Sequence, residues 1–320
     1  PNRAASRLLL QPYSESAVIQ AAREALEEAG GRATLGFAFA SLDYQPHLED
    51  FLELLQLHGH LPLLAGCSGS GLIGTHQEAE TQSGFTFLLL NLPDTIVHPV
   101  ALTAEMVEQA ESGTPWTELT GVPADGVDVW LLLADPFGFP VEPWLQQWNR
   151  AYPGIPTLGA LSSGSRNGVS EEEAFLFRNR EVLPQGSSLL IGLKGGVSVE
   201  CLVAQGCRPI GEPLTVTRTD SNLLLTLGGK PAYVALNEAF ESLTDEEKQR
   251  AQGNLFVGLA RSEYIENHQQ GDFLIRTILG ADAKSGAVAI GAYPRVGQTV
   301  QWQLRDRESA HIALEKALQK

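Results

Sequence analysis

A glycine- and serine-rich stretch at residues 66–74, GCSGSGLIG, contains the residue types best suited to chemistry in this chain. Cys67 stands where an apolar run ends, and a thiolate at such a strand–loop junction is a candidate nucleophile. The hydroxyl of Ser68 is a second candidate, with the glycine loop as its oxyanion hole. Both need a general base, which no local spacing assigns. The alternative is a loop that contacts a small ligand through backbone N–H groups and hydroxyls.

The same stretch contains a G-x-G-x-x-G pattern from Gly69 to Gly74, and Asp94 follows at the distance of a ribose-binding carboxylate. A dinucleotide-binding loop must open a helix whose apolar stripe packs on the sheet. Between Gly74 and Phe85 the only apolar residue is one alanine. Dinucleotide binding is therefore not predicted.

A second stretch of small polar residues, SSGSRNG at residues 162–168, also follows an apolar segment. Aligned without gaps, residues 61–70 and 155–164 share a proline, a leucine, small residues and a serine at a spacing of 155 − 61 = 94 residues. We interpret the two stretches as related strand-end loops in a unit that occurs twice, at about residues 15–102 and 103–205. The alternative is that both are tight turns that let the two halves pack.

Arginines near these loops or at strand ends suggest that a ligand would be negatively charged. Arg166, Arg261 and Arg276 are the candidates, because a guanidinium among hydroxyls and N–H groups suits a small carboxylate. Ordinary pairing with one of the 38 acidic residues is the alternative for each. No catalytic residue, metal site or cofactor is predicted. The predicted ligand-binding residues are Gly66, Cys67, Ser68, Gly69, Ser70, Ser162, Ser163, Gly164, Arg166, Asn167 and Arg261.

One further carboxylate, Asp135, ends the apolar run at residues 127–134, a location where α/β proteins often place functional acids. It precedes Pro136 and a predicted helix, and this context is more typical of a turn or cap residue. A structural role is therefore predicted for Asp135.

Composition excludes several kinds of partner. Lys and Arg total 22 against 38 Asp and Glu, a net charge of −16 that repels nucleic acid and anionic membranes. No apolar run approaches the roughly 20 residues of a membrane helix, and no signal-peptide pattern opens the chain. The three cysteines, Cys67, Cys201 and Cys207, lack metal-finger spacing and fit a reducing cytoplasm.

The elements that position these residues follow from hydrophobic periodicity in a 320-residue chain with a large predicted core. The predicted fold is mixed α/β (α+β), with duplicated β-α-β-loop-β-β units, mixed sheets covered by helices and a smaller α+β domain after them. The domains are predicted at residues 1–205 and 206–320. The alternating residues 197–205 predict a strand near the boundary. Because the chain stops inside a helix-like segment, the second domain is expected to be truncated.

The chain resembles the FIST family of bacterial proteins, which pair an N-terminal and a C-terminal FIST domain. The resemblance rests on GCSGSGLIG and GALSSG in the first domain. In the second domain it rests on QGCRPIGEPLTVTRTDSNLLLTLGGKPA from Gln205 and RTILGADAKSGAVAIGAYPRVGQTVQWQLRD at residues 276–306. The family usually continues past the RDRESA helix, and the sequence leaves open whether such a segment completes the pocket.

This resemblance implies a cytoplasmic sensory or signal-transduction module that binds small ligands such as amino acids, without established catalytic residues. The leading hypothesis is therefore a non-enzymatic sensor for an amino acid or related small carboxylate, with a possible signalling protein partner. A hydrolase or transferase using Cys67 or Ser68, and a protein-interaction scaffold, are the alternatives.

Overall fold

The computed structural model describes residues 1–166, 169–170, 173–265 and 268–319, with only the backbone described at residues 165, 166, 169 and 170. The chain divides into two compact units, Pro1–Glu200 and Cys201–Lys320. Both combine helices with sheets, and the first unit mixes parallel and antiparallel strands. This confirms the predicted mixed α/β fold class.

The first unit contains five α-helices and fourteen strands among the described residues. Its helices are α1 (Glu15–Glu28), α2 (Leu48–His58), α3 (Ala104–Glu111), α4 (Trp116–Thr120) and α5 (Val141–Ala151), with short 3-10 helices at Leu42–His47 and Ala124–Gly126. Its strands are β1 (Arg3–Leu9), β2 (Leu35–Ala40), β3 (Leu64–Ser68), β4 (Gly71–Gly74), β5 (Gln77–Glu80), β6 (Phe85–Asn91), β7 (Ile96–Leu102), β8 (Val129–Ala134), β9 (Thr157–Leu161), β10 (Ser165–Arg166), β11 (Val169–Ser170), β12 (Leu176–Arg178), β13 (Glu181–Val182) and β14 (Ser188–Lys194).

Two sheets lie face to face between two layers of helices in the first unit. Along β2, Leu35 and Phe37 belong to the cluster between the sheets, whereas Ala38 packs with α1 and α2 on the other face. Along β8, Val129 joins the inter-sheet cluster, and Trp130 packs with α4 and α5. Strands buried on both faces must be apolar throughout, which explains the uninterrupted apolar runs.

The two sheets share one strand arrangement. One sheet has the order β1-β6-β2-β3-β12-β13 and the other β7-β14-β8-β9. The first four strands of one match the four of the other, because in each set the last pair is parallel and the other pairs are antiparallel. Gly69 donates its N–H to the Ala40 carbonyl, and Ser162 donates its N–H to the Ala134 carbonyl in the same way. Equivalent loop residues are therefore 93 residues apart, and the ungapped spacing of 94 is wrong by one residue. The duplication itself stays a prediction.

The predicted strand at residues 197–205 is wrong, since residues 197–206 form no strand. Gly195 and Gly196 have φ angles of +70° and +68°, a conformation that glycine adopts at no steric cost. This pair turns the chain away directly after β14. Alternating apolar residues alone cannot form a strand without a neighbour to pair with.

The second unit has one antiparallel sheet. Its strands are β15 (Cys207–Asp220), β16 (Leu223–Leu227), β17 (Lys230–Pro231), β18 (Leu255–Ala260), β19 (Phe273–Asp282), β20 (Ala287–Ile290) and β21 (Thr299–Arg305), and its helices are α6 (Ala232–Glu241), α7 (Asp245–Ala251) and α8 (Arg307–Leu318). The order is β15-β21-β18-β19-β20-β16-β17, and the long β15 also pairs with β16. The sheet therefore closes on itself around an apolar core that includes Trp302 and one face of α6.

In neither unit does any described helix combine the length and apolar character that crossing a bilayer would require.

Candidate functional site

The two loops predicted from the sequence meet in the first unit. The backbone N–H and the hydroxyl of Ser70 both lie 3.1 Å from the Ser163 hydroxyl oxygen, and Ser163 donates its own N–H to the Ser68 carbonyl. Ser70 and Ser163 are equivalent positions of the two sheets, 163 − 70 = 93 residues apart. The two loops that the sequence related are thus in direct contact, although the ungapped alignment pairs Ser70 with Gly164 and not with Ser163.

Most polar groups of these loops already have partners within the protein. Ser68 donates its N–H to the Phe175 carbonyl, and its hydroxyl oxygen accepts the Phe175 N–H. The Ser162 hydroxyl donates to the carbonyl at the end of β8, which also accepts the Ser162 N–H. These bonds support the alternative in which the loops pack the two halves together. Ligand contact by these residues stays a prediction.

Two of the loop glycines are required by close packing. A Cβ atom on Gly66 would lie 1.9 Å from the Ala38 carbonyl oxygen and 2.4 Å from the Phe177 ring. A Cβ atom on Gly164 would lie 2.4 Å from the Glu173 carbonyl oxygen. Because real Cβ atoms do not approach backbone this closely, these glycines permit adjacent segments to approach each other.

Cys67 is poorly placed to act as a nucleophile. It is only 4% exposed, between β2 and β12, and burial raises the pKa of its thiol to about 12. A thiol with this pKa is protonated at neutral pH, whereas nucleophilic attack requires the thiolate. The geometry therefore disfavours the enzyme hypothesis at Cys67.

We expect thiol labelling to separate the three cysteines by burial. In the native protein an alkylating reagent should modify the exposed Cys201 and leave Cys67 and Cys207 unmodified, since both are buried and burial raises both pKa values. In denaturant all three should react, which provides the internal control. Peptide mass spectrometry gives the extent at each site. Rapid native labelling of Cys67 would restore it as a nucleophile candidate.

The three candidate arginines have different surroundings in the structure. Asn167 and the side chain of Arg166 lie outside the described residues. Arg276 donates a guanidinium N–H to the carbonyl of Ile275. Arg261 follows β18 in the second unit, where its N–H donates to the Asp272 carbonyl. Its guanidinium is exposed and has no hydrogen bond or ion pair to any residue that the structure describes.

Arg261 lines a cavity of about 460 Å³ formed by the second unit alone. The walls come from the chain segment before β15, the loop before β19, strands β19 and β21, and α8. Lys316 of α8 contributes a second cation. This volume is within the usual range for small-molecule sites.

Gln303 of β21 lines the same cavity and is 1% exposed. Its side-chain amide nitrogen is buried and has no hydrogen-bond partner among the described residues. A Cβ atom on Gly258 would lie 2.8 Å from this nitrogen, so glycine in β18 makes room for the amide. An unsatisfied buried donor costs about 1–3 kcal/mol, which a ligand acceptor would offset.

Two other glutamines hold the walls of the cavity in place. Gln205 pairs with β19 as a strand residue would: its amide nitrogen donates to the Phe273 carbonyl, and its oxygen accepts the Ile275 N–H at 2.8 Å. Gln270 donates to the carbonyls of Cys207 and Ser309, which joins β15 to α8. The sequence analysis did not select these glutamines. The one sequence feature that could have pointed to them is a following glycine, in QG at residues 205–206 and QQG at residues 269–271.

Comparison with known families gives the class of protein and then the family. Residues 34–230 match the FIST N domain and residues 232–320 match the FIST C domain, the two domains of a class of sensory proteins. The chain therefore belongs to the FIST family, as the resemblance predicted. FIST domains are sensory domains of signal transduction, which confirms the predicted function at that level.

Two similar proteins come from mycobacteria, and both are described as uncharacterized proteins. One from Mycobacterium tuberculosis, strain H37Rv, is 33% identical over 314 residues, covering 97% of this chain and 78% of the relative. Another from Mycobacterium bovis is 31% identical over 305 residues, covering 93% and 75%. Among solved structures, cyanuric acid hydrolase from A. caulinodans aligns with 61% of this chain and 72% of its own at 8% identity. Its TM-score of 0.26 supports no conclusion about this protein.

Proposed function

We propose that this protein is a non-enzymatic cytoplasmic sensor that binds a small carboxylate, such as an amino acid, in the cavity of the second unit. One observation supports this proposal above all. The guanidinium of Arg261 and the buried amide nitrogen of Gln303, neither of which has a hydrogen-bond partner among the described residues, line the same cavity. The membership of the chain in a family of sensory domains supports the same function.

The chemistry of these two groups fits a carboxylate. A guanidinium presents parallel N–H donors that match the two carboxylate oxygens, and charge-assisted hydrogen bonds are stronger than neutral ones. The buried amide N–H of Gln303 would donate to a further ligand oxygen. Both groups are hydrogen-bond donors and both residues line the cavity, so a ligand rich in acceptors is favoured.

Binding in this cavity would also stabilise its walls. Lys316 of α8, Arg261 after β18 and the segment before β15 come from distant parts of the chain. A ligand that contacts all three favours the arrangement in which they converge, at the expense of more open ones. We propose that a signalling protein partner recognises this arrangement.

We expect Arg261→Met to weaken carboxylate binding by about 10-fold to 100-fold, since a hydrogen bond to a charged group contributes about 1.5–3 kcal/mol. A thermal-shift screen of the twenty amino acids and common carboxylates on the full chain identifies a binder, whose Kd is then measured by calorimetry. Arg261→Lys should retain part of the affinity, because lysine keeps the positive charge but lacks the two parallel N–H donors of the guanidinium.

Arg295→Met is the matched control, because it removes the same charge from an exposed loop residue that does not line the cavity. It should leave Kd unchanged. If no carboxylate raises the melting temperature at millimolar concentration, or if Arg261→Met binds as tightly as the unmodified protein, the proposed function is wrong.

A further inference from the structure

We infer that the ligand of the second unit's cavity is a small dicarboxylate and not a neutral α-amino acid. This inference rests on the proposed function, because it requires that the cavity is the ligand site. It goes further by assigning the charge of the ligand from the charges of the cavity wall.

The cavity wall is positive in a strongly acidic protein. The chain has 38 acidic and 22 basic residues, yet no Asp or Glu among the described residues lines this cavity, whereas Arg261 and Lys316 do. Like Arg261, Lys316 has no hydrogen bond or ion pair with the described part of the chain. A concave site with two positive charges and no negative charge in its described wall attracts anions.

Two carboxylates that lie close in sequence to the cavity wall have other partners among the described residues. Asp272 accepts the backbone N–H of Gln269 at 2.8 Å. Asp306 pairs with Arg208 and accepts the N–H of Ser309 at the start of α8. Since no described carboxylate pairs with Arg261 or Lys316, both cations are available to a ligand.

A neutral amino acid would pair with only one of the two cations in this wall. Its carboxylate could bind one cation, but its ammonium group would face the other, and like charges at short range repel each other. The described wall has no carboxylate to receive that ammonium group, and the Gln205 side-chain oxygen already accepts the Ile275 N–H. A second carboxylate in place of the ammonium removes this conflict.

Calorimetry on the full chain with succinate, glutarate, butyrate, alanine and inorganic phosphate tests the inference. We expect succinate or glutarate to bind at least tenfold more tightly than butyrate or alanine. Lys316→Met should weaken dicarboxylate binding about tenfold and leave butyrate binding unchanged. Lys284→Met, an exposed turn lysine away from the cavity, is the matched control and should change neither.

The outcomes separate this inference from the proposed function. If butyrate or alanine binds as tightly as succinate and glutarate, and Arg261→Met but not Lys316→Met weakens binding, the dicarboxylate is excluded and the sensor function stands. If phosphate binds tightly and both dicarboxylates do not, the dicarboxylate is likewise excluded. If no compound in the panel binds, the dicarboxylate inference fails, and the wider thermal-shift screen of amino acids and carboxylates decides the proposed function separately.

Discussion

Replacing Gly66 with alanine should destabilise the first unit by about 3 kcal/mol or more. The new Cβ atom would lie 1.9 Å from the Ala38 carbonyl oxygen, and the Phe177 ring blocks the other side at 2.4 Å. Both neighbours belong to strands hydrogen-bonded to β3, so relieving the clash would disrupt sheet pairing. Overpacking of flexible side chains costs less, because such side chains can rotate.

Unfolding in denaturant, monitored by tryptophan fluorescence, measures the stability of the first unit. Four of the five tryptophans, Trp116, Trp130, Trp144 and Trp148, lie in the first unit. Gly71→Ala, at the start of β4, is the matched control, since the nearest neighbour of its new Cβ atom would be 3.8 Å away. We expect it to change the free energy of unfolding by less than about 0.5 kcal/mol. Equal stability of the two variants would contradict the packing explanation.

Replacing Asp135 with alanine should cost about 3 kcal/mol, because it leaves two backbone donors without an acceptor. The carboxylate is 3% exposed and accepts the N–H of Phe137 at 2.8 Å and the N–H of Gly186 at 2.7 Å. One bond shapes the turn after β8 and the other joins it to the turn before β14. The predicted turn role of Asp135 is thus confirmed, with a long-range bond that the sequence did not indicate.

The same fluorescence measurement on Asp135→Asn and Asp125→Ala tests this explanation. The amide keeps one acceptor oxygen, so Asp135→Asn should be intermediate between the unmodified protein and Asp135→Ala. Asp125 is exposed in the first unit and has no side-chain hydrogen bond to the described residues, so its replacement by alanine should be near neutral. A loss at Asp125 as large as that at Asp135 would rule out the hydrogen-bond explanation.

Of the residues that line the proposed cavity, local sequence reasoning selected only Arg261. Gly66 to Ser70 and Ser162 to Gly164 were identified as related loops from short similar strings, and they do meet. The nearly complete burial of Cys67 depends on β12, which lies more than 100 residues later in the chain and pairs with β3. Arg261 was selected for its residue type and strand-end position.

The sequence by itself determined the fold class, the family and most helices and strands, because hydrophobic periodicity and motif spacing are properties of neighbouring residues. Only the tertiary structure decided that Gln303 and Lys316 lie with Arg261 around one cavity, since pairing of β18 with β21 and placement of α8 bring them together. It also decided the 93-residue equivalence of the two loops. Both depend on strand register between distant segments, which is selected by packing over the whole unit and has no local signal.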